Sequence, residues 1–264
     1  MTPFTALQWT ELSGALALMP ERAVSPDRQT IDTRALCNVQ RCRAILDLLG
    51  PTIGSSSRAI TASLFAKRIA FLVTGPSLYA MSRYDQGLDC SIENCVTDYT
   101  HRDGVWQSRM VLKSLVTQRP TPGHRESWRD TVIHRIFAEH LAPLWETFQA
   151  ASGIAPRILW ENTAVRVYSL YERRLAKLDD ANERARALED FNYLTHTAAP
   201  ELFGLSSNPI RRYYFEPTCV PSTAALPQQA IRFRKTCCLY FKATQPPEYC
   251  STCPLIRPSA SLRT

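Results

Sequence analysis

Four thiols crowd the end of this chain. Cys237 and Cys238 are adjacent, and Cys250 and Cys253 form a C-x-x-C. Together they fall within seventeen residues of a sequence that has nine cysteines in all. Four thiolates can complete the coordination of a [2Fe–2S] or [4Fe–4S] centre, and they also suit zinc. The loop between the pairs, Leu239 to Tyr249, carries Pro246-Pro247 and is predicted to turn back. Zinc ribbons hold one ion between two C-x-x-C knuckles. Here the first pair has no intervening residue, and neighbouring side chains diverge. The spacing therefore favours a wider, two-iron object while leaving zinc open.

At these residues the sequence resembles the FhuF-like ferric-siderophore reductases, whose mark is a C-terminal Cys-Cys, a short loop and a C-x-x-C. Arg234-Lys235-Thr236, just before the pair, is similar to the family, as is the upstream stretch Ile158-Leu159-Trp160-Glu161-Asn162-Thr163. The loop has eleven residues, one more than in the family. The resemblance implies that Cys237, Cys238, Cys250 and Cys253 hold one [2Fe–2S] cluster. It implies one-electron reduction of ferric siderophores of the hydroxamate type, with release of Fe(II) in the cytoplasm. The catalytic centre would be the cluster itself, with no covalent intermediate and no dedicated acid or base.

The same resemblance makes Arg234, Lys235, Asn162 and Trp160 candidates for contact with the chelate or cluster. Read as residue types alone, Arg234 and Lys235 are exposed strand residues and Trp160 is helix packing. Asn162 stands out, because asparagine inside a helix is intrinsically unfavourable. Arg234 and Lys235 adjoin the thiols, where positive charge raises a cluster's potential by favouring its reduced, more negative state. Two other functions fit the same cysteines: a zinc-stabilised interaction module without redox activity, and a general iron–sulfur electron-transfer protein.

At 264 residues the chain can bury one substantial core. Its 45% hydrophobic and 21% charged content is ordinary for a globular protein. The net charge of +7 is spread along the chain without a basic run, which argues against nucleic acid and suits an acidic redox partner or an anionic ligand. No G-x-G-x-x-G or phosphate-loop motif is present. Electrons would therefore come from an external donor, either a ferredoxin-like or a flavin reductase protein. Met1 to Glu11 has no basic leader, and the apolar run Ile69 to Met81 is short and contains Gly75-Pro76. The expected compartment is the cytoplasm, with at most peripheral membrane contact.

The elements that must position the thiols read as an α+β, predominantly helical chain. Residues 1–118 form a mixed part, 124–230 a helical part and 231–264 the cysteine-rich segment, all in one compact unit. Helices are predicted over Leu7–Met19, Thr33–Leu49 and Ile60–Leu72, the last broken at Gly75-Pro76. Leu88–Val116 reads as two or three antiparallel strands turning at Asp103-Gly104. Ser127 is the predicted N-cap of a long helix to Ala151, with His134 and His140 on different faces. A second helix follows along Trp160, Ala164, Val167 and Tyr171, and a third spans Asp180–Tyr193. Asn208-Pro209 is predicted to open an extended region, with strands at Arg211–Phe215 and Ile231–Lys235. Cys37, Cys42, Cys90 and Cys95 read as ordinary thiols, the first two buried. Cys219 could lie near the cluster but is not taken as a ligand.

Overall fold

Helix α4, Arg58–Tyr84, is the axis of this computed structural model, which describes residues 3–21, 28–102, 105–220 and 229–257. Ser57 caps its start by accepting from the Ile60 amide, and Asp85 ends it in the left-handed region (φ 49°). The expected break at Gly75-Pro76 does not occur. Pro76 removes one donor and crowds the Leu72 carbonyl, at about 3 kcal/mol. Most residues from Ile60 to Ser82 are buried. Each large apolar side chain so buried contributes roughly 2 kcal/mol, so packing outweighs the local fault.

Ahead of α4 lie α1 (Ala6–Ser13), α2 (Thr33–Leu36) and α3 (Val39–Thr52). The helix predicted over Leu7–Met19 stops at Gly14, and Leu18–Pro20 becomes strand β1. β1 lies parallel to β5 (Val105–Leu112), which pairs antiparallel with β4 (Cys95–Arg102), which in turn pairs with β2 (Gln29–Asp32). The strand element is thus a mixed four-stranded sheet, because β1 closes its edge in parallel. Arg102 pairs with Val105 across the expected turn, whose residues Asp103 and Gly104 lie outside the described residues. β3 (Gly87–Leu88) and β6 (Thr117–Gln118) form a separate short ladder.

The long helix expected from Ser127 begins two residues earlier. It runs as α5 (Arg125–His134), a π-helical stretch Arg135–Leu141 and α6 (Ala142–Ser152). Ser127 is no cap: its hydroxyl donates back to the His124 carbonyl (3.2 Å). The first turn is instead tied down by Arg125, which pairs with Asp85 and Asp190 at 2.8 Å. Pro143 cannot donate an amide into the preceding turn, and the wide π turn lies directly before it.

His140 sits in that turn, fully buried, with Nδ1 2.6 Å from the Cys90 carbonyl. His134 is half-buried and faces Glu139, so the two histidines do diverge. Burial pushes the His140 imidazole down to about 4, against about 6.5 unfolded. Between those values the unfolded chain binds a proton that the folded chain refuses. Stability is therefore full above pH 6.5 and falls as pH drops toward 4, by about 1.4 kcal/mol per unit. Urea midpoints at pH 7 and pH 5 check this: the loss should shrink in His140→Gln, and an equal loss in that variant would remove His140 as its source.

Helix α7, Pro156–Arg173, packs against α4, and α8, Ala181–Asn192, follows with Asp180 as N-cap. The strand predicted over Arg211–Phe215 is instead helix α9 (Pro209–Tyr213). Asn208 accepts from the amides of Ile210 (2.8 Å) and Arg211 (3.0 Å), and proline sits at the first helical position, where its missing donor costs nothing. β7 (Thr218–Val220) and β8 (Gln229–Ile231) form the last ladder. The strand expected to run on to Lys235 ends at Ile231. One contiguous core joins buried side chains from Phe4 to Tyr213.

Candidate metal centre

The cysteine segment is seated on α4 and α7 through a relay of buried polar groups. Arg234, 4% exposed, donates from Nη2 to Asn162 Oδ1 (2.6 Å). Asn162 Nδ2 donates to the carbonyl (3.0 Å) and hydroxyl oxygen (3.2 Å) of Ser63 on α4. The Ser63 hydroxyl donates to the Cys238 carbonyl (2.8 Å). Asn162 is thus satisfied across two helices, which accounts for an asparagine in the middle of α7.

Beside it, the buried Glu161 carboxylate accepts from the amides of Lys235 (2.7 Å) and Thr236 (2.6 Å) and from the Thr236 hydroxyl. Those amides have no strand partner. The side chain of Glu161 takes the place of one, which is why β8 stops short. The Arg234 amide donates to the Thr252 carbonyl (2.9 Å), locking the two cysteine strips together, and the Cys253 amide donates to Cys250 (2.9 Å) in the C-x-x-C turn.

The thiols converge as two pairs. Cys238 Sγ lies 3.8 Å from Cys250 Sγ, and Cys237 interacts through its side chain with Cys253. Cys238 and Cys253 are buried, whereas Cys237 and Cys250 face partly outward. Among the described residues no three His, Cys, Asp or Glu side chains gather as one metal ion would require. Two pairs of thiols suit two irons, each with two thiolates, better than a single zinc. The Leu239 amide donates to Cys237 Sγ (3.3 Å), a contact that favours thiolate. The eleven-residue loop closes on itself: Tyr240 donates to Glu248 (3.0 Å), the Glu248 amide donates to Thr244 (2.8 Å), and Phe241 stacks on Tyr249. Gly54 (φ +69°) lets it dock, since a Cβ there would lie 2.7 Å from the Ala243 carbonyl oxygen.

The surroundings are positive. Lys67 Nζ is 3.9 Å from Cys238 Sγ. Arg234 Nε is buried without a hydrogen-bond partner, 4.0 Å from Glu161. Arg166 donates to the Lys67 carbonyl (3.3 Å) and has no acidic partner among the described residues. Burial, with the charge of Arg234 added, lowers its basicity. The Cys238 thiol is drawn down to about 5 by a hydrogen bond from Cys250, with Lys67 and Arg234 assisting against burial, and Cys250 is pushed up in exchange. Clustered cations with an orphaned guanidinium nitrogen are costly unless an anion sits among them. A [2Fe–2S] core with four thiolates is such an anion, so the residues fit that group.

The other predicted positions fall into place around this. Lys235 is exposed, its Nζ over the Phe215 ring at 5.0 Å, and Trp160 is core packing, as its residue type suggested. Arg234, read from type alone as an exposed strand residue, is instead buried and off the strand. Cys37 is exposed, correcting the expectation of a buried thiol, whereas Cys42 is buried. Cys90 and Cys95 are buried in the core, Cys90 Sγ 2.7 Å from the Ser77 hydroxyl. Cys219 is exposed on β7. Ser63, Lys67, Glu161 and Arg166 were missed as site residues. Lys67 and Arg166 were legible only as charges on apolar stripes, one within α4 and the other one turn beyond Asn162; Glu161 lay within the family-like stretch Ile158–Thr163, and Ser63 carried no signal.

Residues 63–218 match the profile of the ferric iron reductase FhuF-like transporter family, and residues 234–255 match the FhuF 2Fe-2S C-terminal domain. No curated protein matches the chain. Among solved structures, aerobactin synthetase IucC from a hypervirulent pathotype of Klebsiella pneumoniae is similar at 15% identity and a TM-score of 0.45. That match covers 72% of this chain and 36% of the other, so this chain spans about a third of that protein's length. Matched over more than half its length by one profile and across its cysteine tail by the other, the chain belongs to the FhuF-like ferric iron reductase family and ends in that family's [2Fe–2S] domain.

Proposed function

We propose that this protein reduces ferric iron held in siderophore chelates of the hydroxamate type, one electron at a time, and so releases Fe(II) in the cytoplasm. The observation that carries the reading is the convergence of Cys237-Cys238 with Cys250 and Cys253, as two thiol pairs, on a bed of cations. In this reading those four cysteines hold the [2Fe–2S] group, which when bound supplies single electrons. Hard oxygen donors bind Fe(III) far better than Fe(II), so one electron is enough to loosen the chelate.

The chain's residues supply the rest. The relay Arg234–Asn162–Ser63 and the carboxylate of Glu161 hold the cysteine strips in register. Cys237 and Cys250, half-buried, keep the centre within reach of the surface. No described helix is long and apolar enough to cross a membrane. Electrons come from an external donor protein. The test is a single turnover without oxygen: chemically reduced protein is mixed with ferric hydroxamates and a ferrous-specific indicator. About one Fe(II) per chain is expected; reduced protein left unoxidised by every ferric chelate would sink the reading.

Lys67 sets the potential in this reading. A unit charge about 4 Å from a thiolate is worth a few kcal/mol at the effective dielectric of a protein surface, less after screening of this half-exposed amine. Removing it in Lys67→Met should lower the midpoint potential by roughly 50–100 mV, taking 59 mV per tenfold for one electron. A spectroscopic redox titration reads this directly, and an unmoved midpoint would strip Lys67 of the role.

A further inference from the structure

A surface cavity of about 450 Å³ opens beside Cys250, walled by α7, by Phe215 and Pro217, and by the stretch from Ala230 to Arg234. Arg166, Ser169 and Arg173 line it. Their i, i+3, i+7 spacing places them on one face of α7. Two acidic residues also line the cavity, and both are engaged. Glu172 pairs with Arg232 (2.9 Å), and Glu161 is spent on backbone amides and lies 4.0 Å from Arg234. Lys67 Nζ lies 3.9 Å from Cys238 Sγ, and Arg234 donates to Asn162. Arg166 and Arg173 remain in the wall with no acidic partner among the described residues, and the buried Arg234 Nε between wall and thiols has no hydrogen-bond acceptor. Phe215 and Phe233 supply an apolar side to the same cavity.

We infer that this cavity is the chelate-binding site and that it selects a net-anionic ferric chelate, one carrying an ionised carboxylate beside its iron-binding oxygens. The inference rests on the reductase reading. Arg166 and Arg173 pair with the carboxylate, Ser169 offers a hydrogen bond between them, and the iron end lies toward Cys250. A guanidinium suits a carboxylate through its planar fork of donors. A neutral or cationic trihydroxamate gains nothing from these groups and leaves their charge uncompensated.

Gallium(III) chelates test the site without electron transfer, because gallium cannot be reduced under these conditions. Titration calorimetry on the iron-loaded protein would compare gallium complexes of a carboxylate-bearing dihydroxamate, a neutral cyclic trihydroxamate and a cationic linear trihydroxamate. The anionic complex is expected to bind about tenfold tighter than the neutral one, a preference that weakens between low and high salt. In Arg173→Glu, on an exposed last turn, that preference should vanish while iron content and visible spectrum stay as in the parent. Equal affinity for the three complexes, or an unchanged preference in Arg173→Glu, overturns the inference. Equal rates of reduction for neutral and anionic ferric chelates would likewise overturn it while leaving the reductase reading intact. Anion-selective gallium binding with no reduction of any ferric chelate would leave the site standing and remove the reductase.

Discussion

Cys250→Ser and Cys253→Ser, purified without oxygen, each come out with iron far below the parent's roughly two per chain and without its visible charge-transfer bands. Serine is a hard, weakly acidic donor in place of a soft thiolate, so each change opens a coordination position. Cys253 is buried, and its loss also removes the partner of Cys237. Cys250 is half-buried and is paired with Cys238, so its serine variant tests the ligand with little packing change. Cys90→Ser and Cys37→Ser keep the parent's iron and colour. Cys90 is enclosed in the core against Ser77, and Cys37 is an exposed thiol near the start of α3. Iron and sulfide analysis with a visible spectrum decides the matter. A Cys90→Ser protein that bleaches, or a Cys250→Ser protein that retains full iron, would void the ligand assignment.

Glu161→Ala is expected to be nearly as damaging without touching a sulfur. Three donors lose their acceptor at once: the amides of Lys235 and Thr236 and the Thr236 hydroxyl. The buried Arg234 loses the carboxylate 4.0 Å from its Nε. Breaking a buried charge pair from one side costs about 3–5 kcal/mol, and partly buried amides left without an acceptor add to it. Such a sum is a large share of the roughly 5–15 kcal/mol that holds a domain folded. The damage is local, because Glu161 anchors only the segment that carries the thiols. Residues 232–257 should exchange amide hydrogens freely while α4 stays protected, and iron content should fall below half of the parent's. Glu172→Gln, which removes a partly exposed partner of Arg232, is the control and should cost less than about 1 kcal/mol. Wild-type protection of Lys235 and Thr236 in Glu161→Ala would show that the carboxylate does not hold the segment.

Much of this was legible in the chain. The cysteine spacing carried the metal chemistry, since four thiols so close in sequence must be close in space. The periodic stripe of α7 and the helix read over Asp180–Tyr193 rest on local rules, and local rules decided them. Where local signals were weak or in conflict, sequence reading erred. Gly75-Pro76 breaks an isolated helix but not one buried along most of its length. Asn208-Pro209 signals a turn as readily as a cap, and the carbonyls of Leu194 and Ala198 settle it by taking both amide hydrogens of Asn208.

By itself, then, the amino-acid order determined the helical class, the four-thiol motif and the absence of a nucleotide fingerprint. Only the tertiary structure decided that the thiols pair across the two strips, Cys238 with Cys250 and Cys237 with Cys253. It alone brought Lys67, separated from Cys238 by more than half the chain, to 3.9 Å from its sulfur, and turned Arg234 inward to Asn162. The reason is that ligand type is a property of single residues, whereas charge balance around a centre depends on contacts between segments. No window along the sequence holds α4, α7 and the tail together; their packing does.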